Sequence, residues 1–381
     1  MFIEQFRYHP IPAEAESLRS QVREFVAENL QHLSLRKRAD SWMGFDAEFS
    51  RKLGERGWIG MALPTQYGGA DASAFARYVI IEELLAAGAP VSAHWFSDRQ
   101  SGLQILRHGT EQQRQFYLPA ICRGECFFSI GMSEPNSGSD LASIKSKAVK
   151  NEGGWLLNGQ KVWTTNAHRS HYMIALVRSG ESDNRHGGMS QFIVDLRLPG
   201  ITVRPIKDLT GSEHFNEVFL DNVQLPPESL LGQEGEGWSQ VTGELAMERS
   251  GPERFLSCMI LMYTMLAEIG SKPNVLQQRE VGRISARLMT LRQMSLAVTH
   301  LLDQGENPSV AASCVKDLGA VFEQELPEIA QLLCDAEPTA SGGTDYALVL
   351  AHLTQQAPSF SLRGGTREIL RGIIARGLGL R

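Results

Sequence analysis

The chain has 381 residues, 42% hydrophobic and 21% charged; that composition builds large cores and excludes global disorder, and the length predicts two to three domains at roughly 150 residues each. Its 37 basic residues stand against 43 acidic ones, a net charge of −6, which argues against phosphate-backbone binding as the main activity. No apolar run approaches the roughly 20 residues of a membrane span, and the first residues carry no apolar signal-peptide core. Five scattered cysteines make no disulfide framework, and Cys122 and Cys126, four apart without a nearby His, make no zinc site. A protein of a reducing, cytoplasmic compartment is expected.

Hydrophobic periodicity changes twice, and those changes predict three domains: a helical domain over 1–128, a β domain over 129–236 and a helical bundle over 237–381. In the first, Leu18, Val22, Phe25 and Val26 share one helical stripe, while Leu63-Pro64 and Gly68-Gly69 mark loops. In the second, Asn158-Gly159 between the apolar runs of Trp155-Leu156-Leu157 and Val162-Trp163 predicts a hairpin with a type I′ turn, because both turn residues need positive φ. Further strands are expected over 172–177, 191–196, 201–206 and 218–223, with a flexible loop over 180–188. Several short strands in one block suggest a barrel or sandwich. In the third, helices are expected near 238–269, 279–303, 313–334 and 345–355, with a shorter last one over 366–376. Pro252 is expected to kink the first of these, since it removes one N–H from the helix.

Four runs of residues are able to carry chemistry. Met132-Ser133-Glu134-Pro135-Asn136-Ser137-Gly138-Ser139-Asp140 offers hydroxyls and backbone N–H groups to a phosphate or a polar ring edge, or is a turn between domains. Trp163 and Thr165 alternate with Thr164 and share a face, where an aromatic and a hydroxyl could meet a planar heterocycle, or the Trp is core. Glu248-Arg249 lies on an apolar helix, as a positioned carboxylate or as an ion-pair member. Gly364-Gly365-Thr366 precedes a helical run, where Thr366 is an N-cap and the helix start attracts anions.

In order and spacing these runs resemble the FAD-dependent acyl-CoA dehydrogenase family over nearly the whole chain. The resemblance is carried by Gly57-Trp58-Ile59-Gly60, by Pro64 through Tyr67-Gly68-Gly69, and by Ser133-Glu134-Pro135 with Gly138-Ser139-Asp140. It continues with Asn158-Gly159-Gln160-Lys161, Trp163, Thr165-Asn166, and ends with Gly365-Thr366, Glu368-Ile369, Arg371 and Ile373-Ile374-Ala375-Arg376. It implies an N-terminal α-helical domain, a middle β-barrel and a C-terminal four-helix bundle, with FAD between barrel and bundle. By the same resemblance Ile130, Met132 and Ser133 line the flavin ring, and Trp163 and Thr165 cover its other side. Gly138 and Ser139 approach the flavin phosphates or the acyl-CoA, and Thr366 and Glu368 touch the adenine half. The implied reaction is α,β-desaturation of an acyl-CoA thioester, with an electron-transfer flavoprotein as acceptor.

Many members carry the base as Glu immediately before the Gly-Thr near the C-terminus, where this chain has Gly364. Isovaleryl-CoA dehydrogenase-like members carry it in a Glu-Arg pair on the first bundle helix, which Glu248-Arg249 matches, with Arg249 orienting base or substrate. The Arg-x-x-Phe-Gly motif that reaches the partner's FAD pyrophosphate is missing from 269–275. The Gln-x-x-Gly-Gly-x-Gly loop is missing too, with Gly342-Gly343 as its candidate remnant. The chain is therefore expected as a homo-oligomer (dimer or tetramer) or as one half of a heterotetramer whose other chain supplies the clamp. Rival readings are a flavin monooxygenase or nitroalkane oxidase of the same fold, and a catalytically silent subunit.

Overall fold

A computed structural model describes residues 2–380, and the side chains of residues 4–243 and 249–380. The N-terminal third carries helices α1 (Ala13–Glu16), α2 (Leu18–Asn29), α3 (Leu35–Arg38), α4 (Ala47–Glu55), α5 (Ala74–Ala86), α6 (Ser92–Phe96), α7 (Gly102–His108) and α8 (Glu111–Cys122). Strands β1 (Phe128–Gly131), β2 (Lys147–Asn151), β3 (Gly154–Lys161), β4 (Tyr172–Arg178), β5 (Met189–Asp195), β6 (Ile201–Ile206), β7 (Phe215–Leu225) and β8 (Leu230–Leu231) follow. The C-terminal part is again helical: α9 (Gly237–Glu248), α10 (Met259–Ile269), α11 (Val275–Asp303), α12 (Ser309–Leu333), α13 (Asp345–Gln356) and α14 (Arg367–Gly377). By contacts the chain divides into two compact units: Asp46–Asp71 with Ser92–Glu244, and Met1–Phe45 with Ala72–Val91 and Leu245–Arg381.

The first of these units is built on the sheet, in the order β6-β7-β3-β2-β4-β5-β8, with β1 parallel to β4. Met173, Ala175 and Val177 of β4, Phe192 and Val194 of β5, and Trp155 and Leu157 of β3 bury one face by period-2 alternation. Trp155 meets Phe192 edge-on at 5.0 Å. The closed barrel is not realised: the sheet path ends at β6 and at the two-residue β8, which do not pair with each other among the described residues. Helices α6 and α7 run on through a π-helical turn at Ser97–Ser101, a feature frequent at functional sites. The Ser97 hydroxyl in that turn accepts the N–H of Phe128, the first residue of β1, at 2.8 Å.

The Asn-Gly hairpin is corrected. Asn158 and Gly159 lie inside β3, and the β2–β3 hairpin turns instead at Glu152-Gly153, where Gly153 N–H donates to Asn151 Oδ1 at 3.0 Å. Between Leu157 and Gly159 the pairing with β7 shifts register. The core parity of β7 shifts with it, from Val218 and Leu220 to Val223 and Leu225, because β7 carries an extra residue. Asn222 takes a left-handed φ of 50° there, and its N–H donates to Asn158 Oδ1 at 2.8 Å. Gly159 has φ 148°, and a Cβ on it would stand 2.2 Å from Ser146 Oγ. The dipeptide serves a β-bulge and a close backbone approach, both of which favour the same residue types as the turn.

In the other unit, α11 opens with a capping box in which Asn274 and Gln277 exchange bonds with each other's backbone. It packs against α12 and α5; α10 packs against α13, and α14 against α12. The expected kinked helix over 238–269 is two helices. α9 stops at Glu248, Gly251 is extended (ψ 169°), and Pro252–Arg254 forms a 3-10 turn before α10. A proline pushes its predecessor out of the helical region, so Ser250-Gly251-Pro252 ends the helix outright. No helix among the described residues is long and apolar enough to cross a membrane.

Candidate active site

β1 delivers Ile130, paired with Ile174 of β4, and then leaves the sheet at Met132-Ser133. The last residue of β3, Lys161, is wholly buried (0% exposed). Its ammonium donates to Glu134 Oε1 at 2.9 Å, Met132 O at 3.1 Å and Leu176 O at 2.6 Å, which uses all three of its donors. Burial lowers its pKa to about 8 against the opposing pull of Glu134. The next residue, Val162, donates its N–H to Ser133 O at 2.9 Å. Glu134 in turn accepts Lys145 N–H at 2.6 Å and Ser146 N–H at 2.9 Å. It thereby closes the base of the loop that presents Gly138 and Ser139, both exposed. Neither Glu134 nor Lys161 was read as functional from sequence, although both lie inside the motifs quoted above.

Past Lys161 the chain leaves the strand, so Trp163 and Thr165 are not strand residues. Their alternation survives all the same: Val162, Thr164 and Asn166 are buried, while Thr165 is half-buried and Trp163 is 58% exposed. Thr164 donates its N–H to Asn216 O at 3.1 Å, and the Asn216 side-chain amide donates to Thr164 O at 2.9 Å. Asn166 donates through Nδ2 to Ser92 Oγ at 2.7 Å. Trp163 and Asn166 both have left-handed backbones, with φ 59° and 54°. For a bulky exposed Trp that conformation is a strained outlier, of the kind that collects at functional sites. Its ring meets Phe215 edge-on at 5.9 Å.

In the other unit, Arg249 is buried and donates from Nε to Gly364 O at 3.1 Å. Glu248 falls at the end of α9, and its side chain lies outside the described residues. Gly364 and Gly365 have φ 67° and 100°, and a Cβ on Gly364 would meet Lys316 Cε at 3.2 Å and an Arg254 nitrogen at 3.3 Å. Thr366 occupies the N-cap position of α14 but makes no capping bond to the helix. Exposed Glu368 in the first turn of α14 is held below its ordinary pKa by its own backbone N–H first and by the neighbouring Thr366 hydroxyl second.

Three family models cover the chain in succession: acyl-CoA dehydrogenase N-terminal domain over residues 12–125, middle domain over 129–223 and C-terminal domain over 235–379. The chain belongs to the acyl-CoA dehydrogenase family. Acyl-CoA dehydrogenase FadE34 of Mycobacterium tuberculosis is 33% identical over 86% of this chain, which spans only 45% of that protein's length. Acyl-CoA dehydrogenase IpdE1 of Mycolicibacterium smegmatis is 29% identical over 96% of this chain and 98% of its own. Among solved structures, the ChsE4-ChsE5 complex of M. tuberculosis superimposes with a TM-score of 0.85 at 26% identity, over 98% of this chain and 100% of that one. The three-domain architecture, helical at both ends with a sheet in the middle, is that of the family, and its cofactor is FAD.

The residues present fit that cofactor. Trp163 is 58% exposed at a left-handed φ of 59°, which leaves aromatic surface open to a planar ring. A Cβ on Gly138 would meet nothing within 4 Å, so the backbone of this exposed loop lies open to a ligand.

Proposed function

We propose that this chain is an FAD-dependent acyl-CoA dehydrogenase that introduces the α,β double bond into an acyl-CoA thioester. The observation that carries the reading is Trp163, exposed and strained directly after the Lys161–Val162 tie to Met132 and Ser133. Ile130, Met132, Ser133, Trp163 and Thr165 hold the flavin ring, Thr366 and Glu368 its adenine half, and Gly138 with Ser139 the phosphates or the acyl-CoA. When bound, FAD supplies the acceptor for the β-hydride.

Glu248 takes the α-proton. The α-C–H is a weak acid, so its base must be positioned and desolvated, and burial lifts a carboxyl toward the range where it accepts that proton. The Arg249–Gly364 bond supports the assignment: it ties the residue after Glu248 to the glycine at which many members carry their base. Arg249 orients the base or the thioester. The domains are 1–128, 129–236 and 237–381, the compartment is the cytoplasm, and the electron acceptor is an electron-transfer flavoprotein. The motifs missing from 269–275 and around Gln331 favour a heterotetramer in which a related chain completes the FAD pyrophosphate site; the ChsE4-ChsE5 neighbour is itself a complex of two named chains.

Glu248→Gln tests the base. The variant should retain bound flavin and lose bleaching by acyl-CoA, and full bleaching excludes Glu248. A homo-oligomer with full FAD occupancy, obtained from this chain alone, excludes the partner-supplied clamp.

A further inference from the structure

The Lys161–Glu134 ion pair is deeply buried, with side chains 0% and 8% exposed. Stability alone does not call for it, since an apolar pair of similar volume is often as stable or more so. What distinguishes this pair is where its bonds go. Met132 O points to the Lys161 ammonium and Ser133 O to the Val162 N–H. A trans peptide is planar, with its C=O and N–H directed oppositely, so fixing Met132 O inward turns the Ser133 N–H away from Lys161. The third acceptor, Leu176 O on β4, anchors the ammonium to the sheet, so that the peptide is set by the framework and not by its own loop. Glu134 holds the other end: its two oxygens take the N–H groups of Lys145 and Ser146 and fix the loop carrying Gly138 and Ser139.

We propose that Lys161 is a positioning residue for the cofactor, fixing the Met132–Ser133 peptide so that Ser133 offers its N–H to the carbonyl edge of the flavin ring. The proposal rests on the flavin reading above. It assigns the two members of the pair different tasks, Lys161 to the ring-binding peptide and Glu134 to the loop.

The test compares Lys161→Met, Glu134→Gln and the double variant with wild type, in three readouts: FAD affinity of the apoprotein, reduction potential of the bound flavin, and thermal unfolding. Glu134→Gln leaves the Lys161–Met132 bond and keeps one of the two oxygens that hold the loop, so the flavin's reduction potential should stay at its wild-type value while FAD affinity falls by at most about threefold. Lys161→Met should weaken FAD binding about tenfold or more and shift the potential, as loss of an oriented donor to a polar edge does. Because that single variant leaves a buried carboxylate without its cation, the double variant provides the folded control, and it should keep the flavin defect while recovering thermal stability. A double variant with wild-type affinity and potential overturns the proposal, as does failure of the double variant to fold, which would make the pair structural. Wild-type protein that binds no FAD even in complex with the related chain that completes the pyrophosphate site defeats the flavin reading itself, a different outcome from a variant that binds normally.

Discussion

Replacing Trp163 by Gly separates what the indole does for the fold from what it does for the cofactor. In the apoprotein two small effects oppose each other. Gly removes the left-handed strain at φ 59°, worth about 1 kcal/mol, and loses the edge contact with Phe215 at 5.9 Å, also worth about 1 kcal/mol. The part of the residue already covered by the fold, roughly 100 Å² of Trp surface, adds a burial loss of about 2 kcal/mol, so the apoprotein should lose about 2 kcal/mol of stability. The cofactor should notice the change as well. With 58% of the residue exposed and a Trp surface of up to about 250 Å², roughly 140 Å² remains to be covered. At about 25 cal/mol per Å² that is up to about 3.5 kcal/mol, or a few hundredfold in affinity; half coverage leaves about twentyfold. Titration of apoprotein with FAD, followed by flavin fluorescence, should show Kd rising about twenty- to a few hundredfold beside a modestly lowered melting temperature. An unchanged Kd with a clearly lowered melting temperature would make Trp163 an ordinary packing residue and refute the reasoning.

Two further outcomes follow from the sheet-bearing unit. Gly159→Ala should destabilise the protein by about 2 kcal/mol or more, because the added Cβ stands 2.2 Å from Ser146 Oγ at a backbone angle that disfavours a side chain; chemical denaturation checks this, and a neutral result would mean that the bulge relaxes freely. His94, wholly buried with Nδ1 2.8 Å from Ser50 Oγ, has its pKa lowered to about 4 by burial. The unfolded chain binds that proton below about pH 6.5 and the folded chain does not, so stability falls as pH drops from 6.5 toward 4, by up to about 3 kcal/mol. His94→Gln should remove that part of the acid slope in unfolding measured at pH 7 and pH 4.5, and an identical slope would contradict it.

The strands β4 to β6 and the helices after α10 were legible because each is an apolar run bounded by Gly, Pro or a polar loop, whereas β7 changes its buried parity part-way at the bulge. Asn158-Gly159 misled because a bulge and a type I′ turn want the same two residues, and only pairing with β7 tells them apart. Ser250-Gly251-Pro252 was expected to bend a helix and ends it, since the pre-proline restriction acts together with the glycine. Barrel closure depends on which edge strands meet, a long-range fact that alternation along one strand does not contain. At the site, Trp163 and Thr165 were found by motif, but the left-handed backbone that turns the indole outward comes from the bonds of Thr164 and Asn166 to distant residues. Lys161 was visible as a lysine in a motif, whereas its burial beside Glu134 was not: a charged residue at a strand end reads as solvated until its three acceptors are seen.

The most direct measurement is an anaerobic titration of the flavin-loaded protein with a panel of acyl-CoA thioesters, followed at the flavin absorbance and by analysis of the thioester product. The account predicts bleaching by at least one of them, with one enoyl-CoA formed per flavin reduced. Loaded protein whose flavin stays oxidised with every thioester, yet consumes oxygen with another class of substrate, would contradict it.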